Sequence, residues 1–164
     1  MPEKVAVKIP FADEPQFNCF VCGPRHEHGL KLKFFQVGQT VQSQWLARDD
    51  LSGVPGLLHG GIQATILDEI MWYTVFQFTK RFCLTQNMTI KYLGAVRTAE
   101  TIQAIGQIKT RQKNSVQTQA KILQNNKILA SAQGSYFLPN DKLLARSLGL
   151  AIDAIPQSIR DYLQ

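Results

Sequence analysis

His59-Gly60-Gly61-Ile62-Gln63-Ala64-Thr65-Ile66-Leu67-Asp68-Glu69-Ile70-Met71-Trp72-Tyr73-Thr74-Val75-Phe76-Gln77-Phe78 decides the fold. Two glycines stand at its mouth and almost every later position is apolar. Asp68 and Glu69 interrupt the apolar run two turns in. A helix that is apolar nearly all round is a buried one. Ionisable groups inside it are costly unless they are paired or used.

The flanking segments read as strands. Upstream, Leu30-Lys31-Leu32-Lys33-Phe34 alternates strictly, and Gln39 to Ala47 gives a second strand after a turn at Val37-Gly38-Gln39. Residues 48–58 form a loop rich in charge, glycine and proline. The helix should end near Lys80-Arg81, whose charges suit the negative end of the helix dipole. Downstream, strands are expected at Cys83–Ala95, Glu100–Gln112, Ser115–Leu123 and Ile128–Leu138. Gly94, Lys113-Asn114 and Asn125-Asn126 supply the turns between them. The order is β-β-α-β-β-β-β, an α+β architecture with one central helix wrapped by an antiparallel sheet of about six strands.

The 164 residues fit a single domain. Within it, 1–28 is a proline-punctuated lead and turn, 29–138 the core, and 141–164 a short helical tail. Residues 1–18 are expected to be extended and loosely held. Apolar content of 45% and charged content of 18% describe a soluble globular chain. No apolar run approaches a membrane span of about 20 residues, and Met1-Pro2-Glu3-Lys4 does not open a signal peptide. Three cysteines argue against a disulfide framework, so a cytoplasmic protein is expected. The formal charge of +6 is spread out and comes with no nucleic-acid motif, which favours a phosphorylated small ligand.

Three places could carry chemistry. The first is the helix mouth, where Gly60 and Gly61 leave backbone N–H groups open to a ligand. A carbonyl oxygen placed there would be polarised, and an oxyanion stabilised. The bland reading is a glycine pair needed only for a turn. His59, just before the helix, is either satisfied by backbone or supports the site by orienting the mouth, bonding the ligand or acting as a base. The second place is Asp68, eight residues past Gly60 and so about 12 Å further along the axis. Two groups that far apart cannot act on one small centre within one helix. A twofold pair of antiparallel helices would bring Asp68 of one subunit to Gly60 of the other, so joint action requires a homodimer. Glu69 lies about 100° around the helix from Asp68 and is read as a polar contact at the helix surface or dimer seam. The third place is Cys19-Phe20-Val21-Cys22, with His26 and His28 close behind. It reads as a tight turn with two inert thiols. The rival is a zinc-binding module on Cys19, Cys22, His26 and His28, against which stands the absence of a usual second ligand pair. No metal and no cofactor is expected. Cys83 has no arranged base partner and reads as a buried thiol.

His59-Gly60-Gly61 followed by Leu67-Asp68 resembles the signature of hotdog-fold acyl-CoA thioesterases of the phenylacetate-degradation type, within the 4-hydroxybenzoyl-CoA thioesterase (4HBT) superfamily. Cys19-Phe20-Val21-Cys22-Gly23 with Gly29-Leu30-Lys31-Leu32 is similar to that group's N-terminal motif, and Asn87 to Leu93 to its strand after the helix. The resemblance covers about residues 17 to 138. It implies the hotdog fold, a homodimer that often pairs into a homotetramer, an acyl-CoA substrate and a thioester hydrolase. It gives Asp68 the place of the nucleophile or general base, Gly60 the place of the N–H that polarises the thioester carbonyl, and His59 a place beside it. Where some relatives carry Asn or His six residues before the histidine, this chain has Gly53. Thr85 and Gln86 fall where relatives place a Ser or Thr that positions water. Gly61, Thr85, Gln86, Met88 and Trp72 are the expected substrate-binding residues. Lys80, Arg81, Lys91 and Arg97 are candidates for the CoA phosphates, and Trp72, Phe76 and Met88 for the acyl pocket. Two rivals stand within the fold: a non-catalytic acyl-CoA sensor or carrier, which would not need Asp68, and a dehydratase, for which the His-Phe-Pro-type loop is missing.

Overall fold

The computed structural model describes residues 3–163. Met1 and Pro2 of the lead and Gln164 of the tail lie outside the described residues.

The stretch at the centre is one helix, α1 (Gly60–Thr79). Its ends explain its length. His59 caps the start, its Nδ1 accepting from Gly61 N–H at 2.9 Å. Lys80 ends it in the left-handed conformation, φ 57°, with its N–H on Phe76 O. The hydroxyls of Thr65, Thr74 and Thr79 each bond the carbonyl four residues back, so none is left orphaned in a helix with few polar neighbours. Ile66, Leu67, Ile70, Met71 and Val75 are each 1% exposed or less.

The strands are β1 (Lys4–Ala6), β2 (Phe35–Val37), β3 (Thr40–Leu46), β4 (Ser52–Val54), β5 (Leu57–Leu58), β6 (Leu84–Tyr92), β7 (Thr101–Arg111), β8 (Ser115–Gln124) and β9 (Lys127–Phe137). Seven of them form one antiparallel sheet in the order β1-β2-β3-β7-β8-β9-β6. The helix packs across β3, β6, β7, β8 and β9, so the sheet curls around it as the hotdog architecture requires. Alternation follows the pleat: in β8, Val116, Thr118, Ala120 and Ile122 are buried toward the helix.

Three expectations need correction. Leu30 to Phe34 is not a strand. Its alternate residues are buried, as the pattern says, but Leu30 N–H and Leu32 N–H bond Phe20 O and Val21 O of the preceding loop instead of a ladder. Lys31, at φ 54°, breaks the extended run. The loop at 48–58 carries a single-turn helix at Asp49–Leu51 and the β4-β5 hairpin, which prop the helix mouth through His59 N–H to Leu51 O. The lead is tied down: β1 pairs with β2, and Val7 N–H bonds Phe34 O.

The tail forms α2 (Asp141–Leu148) and α3 (Gln157–Arg160) around a small apolar cluster of Leu144, Ala145, Ile155 and Leu163. Phe82 N–H bonds Tyr162 O, and the Tyr162 ring meets Phe76 at 4.8 Å, so the tail covers the C-terminal end of α1.

Candidate active site

The helix mouth is open. Gly61 N–H is taken by His59, and Ile62 and Gln63 N–H both reach His59 O. Gly60 N–H takes no partner among the described residues. Gly60 lines a cavity of about 450 Å³ together with Gly53, Leu57, His59 and Val96, among others. Tyr92, from β6, donates to Gly60 O at 2.9 Å and fixes that peptide plane. Because Nδ1 of His59 accepts, the ring proton belongs on Nε2, which is free to meet a ligand. The position resembling the relatives' Asn or His is closed for a steric reason. A Cβ on Gly53 would lie 2.9 Å from His59 Cδ2, so the histidine ring occupies the space that a side chain would need.

Asp68 lies half-buried on the side of α1 facing β6 and β9. Its Oδ1 accepts from Thr85 Oγ1 at 3.0 Å and from Tyr136 OH at 2.8 Å. The tyrosine also reaches Asp68 O at 3.1 Å. Both donors crowd Oδ1, and Oδ2 takes no hydrogen bond among the described residues. Hydrogen bonds to a carboxylate are the strong ones. They hold the group in one rotamer with a single oxygen presented.

Thr85 reaches the aspartate through a local irregularity. Met88, Ile90 and Tyr92 share one face of β6 and point at the helix. Strict alternation from them would turn Thr85 outward. The β6–β9 pairing slips between Thr85 and Asn87, a bulge at Gln86 that restores Thr85 to the helix side. Gln86, the extra residue, is exposed. Tyr136 was not anticipated from the sequence. It is fully buried, and burial, reinforced by the charge of Asp68, holds its phenol proton well above the ordinary tyrosine value. It is therefore a donor at any ordinary pH. Its signal was a polar-tipped aromatic at an inward position of β9, where a hydroxyl must find a partner.

The other expected site residues divide. Met88 is half-buried against the core. Trp72, one turn past Asp68, stacks on Phe76 at 5.3 Å and donates Nε1–H to Cys83 O at 2.9 Å, so the ring is held as part of the wall. Arg81 bonds the carbonyls of Lys113, Leu138 and Pro139 and ties the sheet end to the tail. Lys80 is on Gln77 at 2.8 Å. Lys91 and Arg97 are exposed. Cys83 is 1% exposed, and burial pushes its thiol well above the usual range.

Glu69 is not at the helix surface. It packs against the Cys-x-x-Cys loop, with Oε1 3.7 Å from Cys19 Sγ. Burial, reinforced by Cys19, pushes its carboxyl up to about 8. A hydrogen bond from the Cys22 thiol, with backbone N–H groups of the loop, holds Cys19 well below the ordinary thiol value. Cys22, hydrogen-bonded to Cys19 and buried, is raised. The two histidines stay apart from the thiols: His26 sits edge-on to Phe20 at 5.5 Å, and His28 lies at the surface beside Glu27.

One helix thus presents an open N–H at its mouth and a clamped carboxylate two turns on, inside a hotdog sheet. An N–H so placed can polarise a carbonyl oxygen, and a carboxylate so held can act on water or on a carbonyl carbon. The family model described as Thioesterase superfamily matches residues 55–130, the helix and the strands after it. Among solved structures, the chain is similar to a putative phenylacetic acid degradation-related thioesterase from Ralstonia eutropha JMP134, at 18% identity over 66% of this chain and 85% of that one, with a TM-score of 0.61. Zebra fish thioesterase superfamily member 2 is similar at 19% identity over 78% and 90%, TM-score 0.62. A Streptococcus mutans UA159 protein bound to acetyl-CoA is similar at 18% identity over 60% and 80%, TM-score 0.57. No curated protein matches the chain in sequence. The chain shares the hotdog fold of these structures, and its likeness to the Thioesterase superfamily lies in residues 55–130. Among the described residues no helix is long and apolar enough to cross a membrane.

Proposed function

We propose that the chain is an acyl-CoA thioesterase that works as a homodimer, each site shared between Asp68 of one subunit and the helix mouth of its partner. The observation that carries this is the division of labour along α1. The reactive carboxylate oxygen, Asp68 Oδ2, and the free N–H of Gly60 lie about 12 Å apart along one helix, too far to serve one carbonyl. Two helices packed antiparallel about a twofold axis would pair each acid with the opposite mouth. The edge of the sheet suits that assembly. β6 is nine residues long and ends the seven-stranded order, and such a long open edge calls for a partner strand.

In this reading the thioester carbonyl oxygen sits on Gly60 N–H, with His59 Nε2–H beside it. Asp68 Oδ2 acts on a water molecule or on the carbonyl carbon itself. The C–S bond breaks, CoA leaves as thiolate and takes up a proton, and the acyl group leaves as the acid with the water oxygen. Thr85 and Tyr136, both bonded to Oδ1, keep Oδ2 aimed. The acetyl-CoA bound to the S. mutans protein supports a CoA ester as ligand here. Exposed Lys91 on β6 and Arg97 in the β6–β7 connection suit its phosphates. Three free cysteines suit a reducing compartment, the cytoplasm.

The test is thiol release from short, medium, long and aromatic acyl-CoAs. Hydrolysis of at least one group, lost in Asp68→Asn with the fold retained, supports the proposal. Binding of CoA esters with no turnover of any would instead make the protein an acyl-CoA carrier or sensor.

A further inference from the structure

Cys19, Cys22 and Glu69 form a cluster that thioester chemistry leaves unused. They come from two elements 50 residues apart, the N-terminal loop and α1. Their donor atoms all lie within 4.8 Å of one another, and among the described residues they form the only such group of metal-ligating side chains. No salt bridge engages Glu69 among the described residues. Two thiols and a carboxyl, with Cys22 buried and the other two half-buried, are therefore turned on each other with no cationic side chain bonded to the carboxyl among the described residues.

The loop is folded as a sulfur cradle. Val21 N–H and Cys22 N–H both point at Cys19 Sγ, at 3.3 and 3.4 Å. Gly23 N–H closes the turn on Cys19 O at 2.9 Å. Gly23 has to be glycine, since a Cβ there would stand 2.5 Å from that same oxygen. Backbone donors of this kind stabilise a thiolate and orient it as a ligand. Tyr73 OH donates to Cys22 Sγ at 3.3 Å and fixes the second sulfur. The spacing also fits a metal. Zinc–sulfur and zinc–oxygen bonds of about 2.3 and 2.0 Å at tetrahedral angles put a sulfur–oxygen edge at about 3.5 Å. Cys19 Sγ and Glu69 Oε1 are 3.7 Å apart.

We propose that Cys19, Cys22 and Glu69 bind a zinc ion that pins the N-terminal loop to α1. Two sulfurs and one carboxylate select zinc over calcium or magnesium. Three protein ligands leave the fourth tetrahedral position for water. Whatever protons the three ligands still carry are released to solvent on binding. The ion sits about 100° around the helix from Asp68 and takes no part in the reaction; its work is to hold Leu30 and Leu32, through the loop carbonyls they bond, against the core.

The experiment measures zinc in the purified chain by mass spectrometry of the metal, then titrates zinc alone into chelator-treated protein against a competing chelator. Cobalt substitution reads thiolate coordination directly from charge-transfer absorption. Wild type and Cys83→Ser should each hold one zinc per chain. Cys19→Ser and Cys22→Ser should lose it. Glu69→Gln should weaken binding by more than the about 10–100-fold that follows loss of a supporting residue. If the cysteine variants fail to fold, Glu69→Gln and the cobalt spectrum of wild type still decide. Substoichiometric zinc, wild-type affinity in Glu69→Gln, loss of binding in His26→Gln, or a Cys19–Cys22 disulfide found by mass would each overturn the proposal. Metal content is read without substrate, so failure here is distinct from failure of the thioesterase proposal.

Discussion

Gly60→Pro removes the one N–H assigned to the oxyanion and nothing else that the fold uses. Gly60 is the first residue of α1, where the N–H has no acceptor inside the helix, and none is found outside it among the described residues. Proline is well suited to that position. The residue before it must be extended, and His59 already is, at φ −57° and ψ 136°. A Cβ at position 60 would stand 3.6 Å from the Tyr92 ring, an ordinary contact. Stability should therefore be unchanged or raised by up to about 1 kcal/mol, through the stiffer unfolded chain. Activity should move the other way. Losing one oxyanion donor costs about 10²–10³ in kcat. The assay is thermal melting beside steady-state thiol release, with Gly60→Ala as the control that adds bulk but keeps the N–H. A folded Gly60→Pro protein with near-wild-type kcat would refute the oxyanion assignment. Equal losses in Gly60→Pro and Gly60→Ala would mean that space, not the N–H, is what the glycine provides.

Tyr136→Phe should lower stability by about 1.5 kcal/mol, the low end for a hydrogen bond to a charged group, because half-buried Asp68 can take a water in exchange. It should also cut kcat about tenfold through a loosened carboxylate, with KM little changed; melting and steady-state kinetics check both. Combining it with Thr85→Val should be non-additive, since both hydroxyls share Asp68 Oδ1. Stability should also fall in alkali. Burial, then the charge of Asp68, raises both Cys83 and Tyr136 in the folded state. The unfolded chain then loses those protons first, so their contribution is full below the unfolded values, about 8.5 and 10. It is lost as pH rises past them, at about 1.4 kcal/mol per pH unit for each group. Chemical denaturation across that window should show the decline, and Tyr136→Phe should lessen the part above pH 10.

Much of this was readable in the chain. The central helix announced itself by unbroken apolar character between a glycine mouth and Lys80, and the four later strands by alternation between asparagine or glycine turns. Asp68 stood out because a buried helix does not carry acids idly. The remainder depended on contacts far apart in sequence. Leu30 to Phe34 has a strand's alternation, yet its partner is an irregular loop, and periodicity reports burial without saying what supplies the hydrogen bonds. Thr85 faces Asp68 only because a bulge adds a residue to β6, and alternation counted from Met88 turns it the wrong way. Tyr136 and Asp68 are 68 residues apart. Glu69 looked like a surface residue because its neighbours on the helix gave no hint that the Cys19–Cys22 turn folds over it.

The shared site can be tested by mixing two disabled proteins. Asp68→Asn keeps the helix mouth and Gly60→Pro keeps the acid, and each homodimer should be nearly inactive. In a mixed dimer one site pairs the intact Asp68 with the intact Gly60, and the other carries both defects. Unfolding and refolding the two variants together, then assaying thiol release, should restore about a quarter of wild-type activity, since half the dimers are mixed and each has one good site. No recovery, with mixed dimers verified by mass, would mean that Asp68 and Gly60 do not meet across a subunit boundary.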